Sequence, residues 1–347
     1  MTHLDTLIEL VDIASVTGDE DAICTTLEAR FKESFPTTRV KNSLVVGTRP
    51  PSGEFYALYG HIDTVPVQGD PSPRVLGDRL VGLGSSDMKA GVAIMVDLLE
   101  DPDIDVDHVV CVFYAAEEGP AAQNELQDVL AACPWLTGAD LSIVLEPTDL
   151  KLEIGCNGVL NADVVFRGKS AHSARPWRGE NAVTKAGAWL KKLHDLDPEL
   201  VEIDGLQYRE VFSVTKATGG IANNIIPPEF TINLNHRFPP IHTVAEAEQR
   251  LRDIAAEADD VVIKDSAPAG RVTPDDAATK RLDSLIAGER TAKQGWTDVA
   301  RLTERGAVAV NYGPGEVAQA HQVDESVPIA NLDIAYGVLQ SFLSGHL

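Results

Sequence analysis

Hydrophobic residues occur along the chain in two patterns, short continuous runs and amphipathic segments. Continuous runs are typical of strands covered on both faces of a sheet, and HVVCVFYA at residues 108–115 is a clear example. Further strands are predicted at 40–48, 54–60, 139–145 and 307–310. Apolar spacing predicts amphipathic helices at 4–14 and 19–35, and small residues predict a closely packed helix at 90–100. Strands that alternate with helices predict an α/β fold with a layered sheet.

The middle of the chain has a different pattern. Residues 158–168 alternate apolar and polar side chains, as in LNADVVF, which is typical of a half-exposed antiparallel strand. Further strands are predicted at 210–218, 229–237 and 261–264, and helices at 181–194 and 243–258. The order β-α-β-β-α-β indicates a split βαβ, ferredoxin-like layer. We therefore predict an inserted α+β domain, residues 159–268, within a larger domain formed by residues 1–158 and 269–347.

The amino-acid composition limits the kinds of molecule that the protein is expected to bind. The chain has 347 residues, enough for two domains, and 29 Lys and Arg against 53 Asp and Glu give a net charge of -24. This charge argues against nucleic acid or an anionic membrane as partner and suits divalent cations. We find no membrane-length apolar run and no signal-peptide pattern, and the four cysteines lack C-x-x-C spacing. A cytoplasmic protein with reduced thiols is expected.

Polar residues follow several of the predicted strands, which is where ligands bind in open α/β sheets. Each one has an ordinary explanation: Asp87 could be a helix N-cap, Glu117 and Glu118 a solvated turn, and His321 a surface residue. Taken together, two imidazoles and several carboxylates would converge on one cleft. Carboxylates crowded at low dielectric repel strongly, and divalent cations remove that repulsion. The residues are His61, Asp63, Asp87, Glu117, Glu118, Glu146 and His321.

Mixed histidine and carboxylate ligation suits zinc or a similar first-row metal, and two-metal sites hold their ions about 3.5–4 Å apart. One ion would take His61 and Glu146, and the other Glu118 and His321. Asp87 would bridge the two.

Two further carboxylates complete this arrangement. Asp63 can accept a hydrogen bond from the second nitrogen of His61 and so fix its tautomer. Adjacent residues of an extended backbone point in opposite directions, so only one residue of the pair Glu117 and Glu118 can readily be a ligand. Glu117 would then be free to act as general base toward a bridging water.

The motifs around these residues resemble, in order, those of the M20 family of dinuclear zinc amidohydrolases. They are GHIDTVP at 60–66, GLGSSDMKAG at 82–91, AAEEGP at 115–120, LEPT at 145–148 and AHQVDE at 320–325. The inserted layer is similar to that family's lid and dimerisation domain, through GKSAHSARP at 168–176 and the segment 219–238. Within the family, AHSARPWRGENA, GWTDVARL (295–302) and AVNYGPG resemble the succinyl-diaminopimelate desuccinylases of actinobacteria.

The resemblance implies a zinc-exopeptidase-like mixed-sheet catalytic domain with an inserted ferredoxin-like lid domain that forms a homodimer. It implies two Zn²⁺ per subunit, with Co²⁺ or Mn²⁺ as alternative metals, and hydrolysis of N-succinyl-LL-2,6-diaminopimelate in lysine biosynthesis. The metal ligands would be His61, Asp87, Glu118, Glu146 and His321, with Glu117 as base and Asp63 as its positioning partner.

The resemblance also implies roles for residues that spacing alone does not single out. His172 would reach the active site of the other subunit and stabilise the developing oxyanion. The Asp87–Met88 peptide matches a bond that the family holds in cis. The positions expected to bind the anionic N-acyl substrate are Arg178, Asn224, Arg237 and Thr297.

Several alternatives stay open at this point. The same fold serves acetylornithine deacetylases, N-acyl-amino-acid hydrolases and dipeptidases. A metal-dependent binding or regulatory protein on a former enzyme scaffold, or an acidic metal buffer, would share the ligands without turnover. Away from the motif, Arg178 and Arg237 would be surface ion pairs, and Asn224 a turn before Ile225.

Overall fold

The structure is a computed structural model that describes residues 2–273 and 276–344. The chain divides into two compact units. The larger unit comprises Met1–Gly155, Arg271–Ala292 and Thr297–Leu347, and the smaller unit comprises Cys156–Gly270 and Lys293–Trp296. The insertion predicted at 159–268 falls inside the smaller unit. No helix in the described part of the chain combines the length and apolar character needed to cross a membrane.

The helices and strands have the following bounds in chain order. The helices are α1 (His3–Asp12), α2 (Asp21–Phe31), α3 (Lys89–Leu99), α4 (Leu126–Ala132), α5 (Ala182–Lys185), α6 (Gly187–His194), α7 (Val244–Ile254), α8 (Ala277–Leu285), α9 (Val299–Glu304) and α10 (Ile329–Ser344). The strands are β1 (Thr37–Val40), β2 (Ser43–Val46), β3 (Tyr56–His61), β4 (Arg74–Leu76), β5 (Arg79–Val81), β6 (Val109–Tyr114), β7 (Leu141–Val144), β8 (Leu152–Ile154), β9 (Gly158–Arg167), β10 (Glu199–Ile203), β11 (Leu206–Gly219), β12 (Glu229–Phe238), β13 (Asp260–Ala267), β14 (Arg290–Ala292), β15 (Ala309–Asn311) and β16 (Ser326–Pro328).

The larger unit is built on a mixed eight-stranded sheet in the order β1-β2-β6-β3-β7-β15-β8-β14. Its central strands β6, β3, β7 and β15 are mutually parallel, and every residue of β3 and β6 is buried. This burial on both faces explains their continuous apolar runs. Helix α3 packs very closely, since a Cβ at Gly91 would lie 2.4 Å from the Leu145 carbonyl oxygen. The small residues of α3 are therefore required by its approach to the sheet.

The strand predicted at 40–48 is confirmed in part as β2, but β2 begins only at Ser43, and β1 before it was not predicted. Lys41 takes a left-handed conformation, with φ 53°, and a tight turn separates β1 from the antiparallel β2. The two strands also differ in burial, because β2 is fully buried whereas β1 is partly exposed. A second small sheet of the unit, in the order β16-β5-β4, pairs a strand near the chain's end with one from its first quarter.

The smaller unit contains an antiparallel sheet in the order β10-β11-β12-β9-β13, whose last four strands have the predicted ferredoxin-like order. Strand β10 was not predicted. It forms a hairpin with β11 through Asp204 and Gly205, both with positive φ, and an Asp-Gly pair is the usual signal of such a two-residue turn. The helix predicted at 181–194 is divided at Ala186 into α5 and α6.

A buried ionic network joins three elements of the smaller unit. The Glu210 carboxylate on β11 accepts hydrogen bonds from His236 Nε2 on β12 at 2.7 Å and from Arg250 Nε on α7 at 2.8 Å. Arg250 also donates to the exposed Glu199 on β10, at 2.8 Å. Burial raises the pKa of Glu210, but the hydrogen bonds from His236 and Arg250 outweigh it and bring the pKa to about 2. The network thus ties the helix layer to the sheet.

We expect Glu210→Gln to lower the free energy of unfolding of the smaller unit by about 3 kcal/mol at pH 7, because it removes the buried anion that accepts hydrogen bonds from His236 and Arg250. Since the folded pKa is depressed from its ordinary 4.5, the stabilisation is complete above about pH 4.5 and is lost as the pH falls toward 2. Urea unfolding followed by tryptophan fluorescence, to which Trp189 in this unit's core contributes, measures both effects.

Glu199→Gln is the matched control, because it removes a carboxylate from the same arginine at an exposed position. Its effect should stay below about 1 kcal/mol. Equal losses for the two variants would contradict a special role of the buried carboxylate.

Candidate metal centre

Three neighbouring parallel strands bring four of the predicted residues to one edge of the large sheet. In the order β6-β3-β7, the carboxyl ends of the strands lie side by side. His61 is the last residue of β3, Glu117 and Glu118 follow β6, and Glu146 follows β7. His61 is buried, and its Nε2 lies 3.9 Å from Glu146 Oε1. The sheet alone therefore places these side chains together.

Asp87 and His321 come from loops outside the large sheet. Pairing of β16 with β5 aligns these loops, because Ser326 lies opposite Val81 and the Gly82 N–H donates to the Glu325 carbonyl oxygen at 3.0 Å. The two segments are separated by more than 230 positions along the chain. Tertiary pairing, and no local pattern, brings them to the edge of the large sheet.

Asp87 lies between the two histidines. Its Oδ1 is 3.2 Å from His61 Nε2, and its Oδ2 is 3.7 Å from His321 Nε2. His321 Nε2 is also 3.0 Å from Glu118 Oε2, and the ligand atoms of His61, Asp87 and Glu118 lie within 4.8 Å of one another. A carboxylate with one oxygen toward each imidazole has the arrangement needed to bridge two cations.

The electrostatics of this cluster fit a divalent metal. Burial raises the pKa of Glu117 well above its ordinary value, and the neighbouring carboxylates of Glu146 and Glu118 raise it further. The hydrogen bond to Glu118 raises the pKa of His321 to about 9. Burial opposes the charge on His61, but Asp63 and Asp87 raise its pKa well above the usual range. The site gathers more negative charge than two imidazoles neutralise, and its nitrogen and oxygen donors are those that zinc and similar metals prefer.

Asp63 anchors the turn that carries the two glutamates. Its buried carboxylate accepts hydrogen bonds from the backbone N–H groups of Glu117 and Glu118, both at 3.0 Å, and from the Thr17 hydroxyl at 2.9 Å. Burial raises the pKa of Asp63, but contact with His61 and these N–H groups bring it below its ordinary value. The carboxylate is thus held as an anion that faces backbone donors.

The predicted bond from His61 to the Asp63 carboxylate needs a correction. His61 Nδ1 is 3.1 Å from the Asp63 backbone carbonyl oxygen, whereas the carboxylate Oδ1 is 3.5 Å away. Because a carbonyl only accepts, Nδ1 carries a proton, and Nε2 is the nitrogen that faces Asp87. The proton on Nδ1 is therefore held as expected, but its acceptor is the backbone carbonyl of Asp63 and not the carboxylate.

Glu117 and Glu118 have different environments, but the extended backbone assumed from the sequence is absent. Ala116 has φ 60°, and the two glutamates lie in a bend after β6. Glu118 contacts His321, whereas the described residues provide no hydrogen bond to the carboxylate of Glu117. Glu117 therefore has a half-buried carboxylate with accessible oxygens, as a proton carrier needs.

Glu325 supports the loop that carries Asp87, a contact that the sequence did not single out. Its carboxylate accepts three backbone hydrogen bonds from the loop before α3, from Gly84 at 2.7 Å and from Ser86 and Asp87 at 2.8 Å. Burial raises its pKa to about 7 against the effect of these bonds. Glu325 fixes the backbone of the loop that contains Asp87. The only sequence signal for this role was the place of Glu325 in the motif AHQVDE. The Asp87–Met88 peptide bond is cis, as the resemblance implied.

The predicted substrate residues fall in three places. In the smaller unit, His172 and Asn224 are neighbours, since Ser173 N–H donates to the Asn224 carbonyl at 2.9 Å, and the exposed Arg178 belongs to the same loop as His172. Arg237 lies near the other end of β12, about 26 Å of strand from Glu229. Thr297 belongs to the larger unit and is buried.

His172 is exposed and its ring has a defined tautomer. The Ala174 backbone N–H donates to its Nδ1 at 3.1 Å, so a neutral imidazole carries its proton on Nε2. The backbone around it is fixed by a bridge to Ile225 and by the turn in which Arg175 N–H donates to the His172 carbonyl at 2.8 Å. The side chain can therefore donate a hydrogen bond outward.

Comparison with known proteins gives matches along nearly the whole chain. The sequence profile of peptidase family M20/M25/M40 matches residues 57–345. A putative succinyl-diaminopimelate desuccinylase of Mycobacterium tuberculosis is 37% identical over 343 residues, which are 97% of this chain and 96% of that protein. The succinyl-diaminopimelate desuccinylase of Corynebacterium glutamicum is 32% identical over 348 residues, with 96% and 94% covered.

Solved structures confirm the predicted fold class. A tripeptidase from Staphylococcus aureus superposes with a TM-score of 0.78 at 21% identity, covering 99% of this chain and 97% of that chain. A dinuclear metal-binding peptidase of the M20 family from Bacillus subtilis has a TM-score of 0.68 at 16% identity, with 99% and 96% covered. At such identities the likeness concerns the fold.

We expect Glu325→Gln to weaken metal binding by about 10- to 100-fold, because an amide cannot accept three N–H donors as a carboxylate does and the Asp87 loop loses its anchor. Competition with a chromogenic chelator for Zn²⁺ measures the affinity.

Asp324→Asn is the matched control, since it makes the same charge change at the exposed neighbouring residue. Its affinity should equal that of the wild type. Equal weakening in both variants would reduce the effect to net charge and remove the anchoring role of Glu325.

Proposed function

The chain belongs to peptidase family M20/M25/M40, as its motifs predicted, and from this membership we propose that it hydrolyses N-succinyl-LL-2,6-diaminopimelate to succinate and LL-2,6-diaminopimelate. The support for this substrate is that relatives 32–37% identical over almost the full chain are named for it. The observation that carries the proposal is the position of Asp87 between two imidazoles at the edge of the sheet. The reaction serves diaminopimelate and lysine biosynthesis. Its proposed compartment is the cytoplasm, in keeping with four buried free cysteines.

Two Zn²⁺ ions per subunit are the proposed cofactors, and Co²⁺ or Mn²⁺ would suit the same donors. His61 and Glu146 would hold one ion, Glu118 and His321 the other, and Asp87 both. When bound, such ions lower the pKa of a water and polarise a carbonyl group. Asp63 and Glu325 have a positioning role, because both bind backbone N–H groups next to proposed ligands.

Glu117 is the proposed general base. The attacking water gives its proton to the Glu117 carboxylate while its oxygen bonds to the succinyl amide carbon. Glu117 then returns the proton to the leaving nitrogen as the C–N bond breaks.

His172 is the proposed donor to the carbonyl oxygen as negative charge develops there. Its Nε2 carries the proton, as this role requires. Within one smaller unit, His172 lies far along the sheet from Arg237, and we propose that the two serve different active sites of a homodimer. Substrate carboxylates need local cations in a protein of net charge -24, and Arg178 and Arg237 would supply them, with Asn224 and Thr297 as further contacts.

The test of this function is release of succinate from N-succinyl-LL-2,6-diaminopimelate by the zinc-loaded protein. Glu117→Gln should retain its metal content and lose about 10²- to 10⁴-fold in kcat, because proton transfer is removed while the ligands stay. Acetylornithine, N-acyl amino acids and dipeptides form the comparison panel. Faster turnover of any of these would replace the proposed substrate, and unchanged kcat in the variant would remove Glu117 as the base.

We expect two inactive variants to restore activity when they are combined. Glu117→Gln and His172→Ala subunits, unfolded and refolded together with zinc, should give about one quarter of wild-type activity. About half of the dimers are then mixed, and each mixed dimer has one complete site.

Each variant refolded alone is the control and should stay inactive. A mixture as inactive as its components, in the presence of mixed dimers detected by differential tags, would show that His172 acts within its own subunit.

A further inference from the structure

The loop that carries His172 is basic in an acidic protein. Residues 169–179, which we name the basic loop, contain Lys169, Arg175 and Arg178 and no Asp or Glu, although the whole chain has a net charge of -24. Within the described parts of the chain, the side chains of these three residues have no salt bridge and no hydrogen bond. Many other cations are paired, for example Arg30 with Glu100 and Arg250 with Glu210. Exposed cations kept apart from the many available carboxylates indicate a site for an anion.

Trp177 stands at the tip of this loop with 76% of its surface exposed, more than any other large hydrophobic residue described. It is held by a rigid frame. Lys169 and Glu180 exchange two backbone hydrogen bonds at 2.8 and 2.9 Å, and Pro176 begins a short 3₁₀ turn. A Cβ at Gly179 would lie 2.5 Å from the Lys169 carbonyl oxygen, so the loop closes tightly. An exposed aromatic ring on such a frame is preformed to cover an apolar group.

Arg175 lies one turn from His172. Its N–H donates to the His172 carbonyl oxygen at 2.8 Å, which keeps the two Cα atoms within about 7 Å. In a succinyl amide, two methylene groups separate the reacting carbonyl from the free carboxylate, about 4 Å away. If His172 contacts the carbonyl oxygen, Arg175 at this distance from His172 is therefore within reach of the carboxylate of the succinyl group.

We propose that Arg175 and Trp177 are the specificity-determining residues for the acyl group: Arg175 pairs with the free carboxylate of the succinyl group, and Trp177 packs over its two methylene groups. This inference rests on the proposed function, because it takes His172 to lie at the reacting carbonyl. A guanidinium recognises a carboxylate in bidentate fashion, and an acetyl group offers neither the carboxylate nor the second methylene. The pair would thus separate succinyl from acetyl substrates.

The first test compares kcat/KM for N-succinyl- and N-acetyl-LL-2,6-diaminopimelate on the zinc-loaded enzyme. Arg175→Gln should lower the value for the succinyl substrate about 10- to 100-fold, mainly through KM, and leave the acetyl substrate within about twofold. Trp177→Ala should lower the succinyl value about 10-fold. Lys169→Gln is the matched control, because it removes a charge at the base of the same loop. Equal losses on both substrates, or none, would overturn the inference.

The second test reports binding without turnover. The difference between the fluorescence spectra of wild type and Trp177→Phe isolates the emission of Trp177, since Trp135, Trp189 and Trp296 remain. Adding succinate to the zinc-loaded protein should shift this emission to shorter wavelength, and acetate should leave it unchanged. Arg175→Gln should weaken the succinate response about 10-fold or more.

The outcomes separate the two proposals. Succinate release without a Trp177 response and without a change in acyl preference would overturn the inference and leave the proposed function intact. A Trp177 response to succinate without release of succinate would support the anion site and overturn the proposed function. Absence of both results would overturn both.

Discussion

Repulsion among carboxylates at one edge of the large sheet is the constraint on which the site depends. Asp87, Glu117, Glu118 and Glu146 converge there, in a protein that is already strongly negative. The fold holds negative charge in two ways. Asp63 and Glu325 face backbone N–H groups, which favour their charged forms without a metal, although burial still raises the pKa of Glu325 to about 7. The remaining carboxylates face imidazoles and one another, and this is the arrangement that a pair of dications stabilises.

The carboxylates that bind backbone N–H groups also position the carboxylates that face the imidazoles. Asp63 binds the backbone of Glu117 and Glu118, and Glu325 binds the backbone of the Asp87 loop. Each anchor therefore sets the position of residues that present their own carboxylates to the site. These buried carboxylates limit how far the loops can relax away from the crowded charges, so backbone hydrogen bonds help to hold the charges together.

The smaller unit uses charge in a complementary way. In its buried network, the Glu210 carboxylate accepts hydrogen bonds from His236 and Arg250 and so joins helix to sheet. Its basic loop leaves Lys169, Arg175 and Arg178 exposed and unpaired beside Trp177, among the residues described. Paired charges inside the unit hold its layers together, and unpaired charges at its surface remain available to an anionic ligand. The same residue types thus stabilise the unit in one place and are proposed to bind an anion in another.

The sequence by itself determined the strands of the central sheet and the residue types at their ends, because burial on both faces imposes continuous apolar runs and because a parallel sheet aligns its carboxyl ends. It also determined the ferredoxin-like order of the smaller unit. It contained the Asp204-Gly205 signal for the β10 hairpin, which remained unrecognised, and it did not reveal the turn at Lys41. Tertiary structure alone decided which oxygen of Asp63 meets His61 and that Glu325 anchors the Asp87 loop. Periodicity and motifs are local along the chain, whereas these contacts join backbone groups and loops whose distances are set only when strands such as β16 and β5 pair.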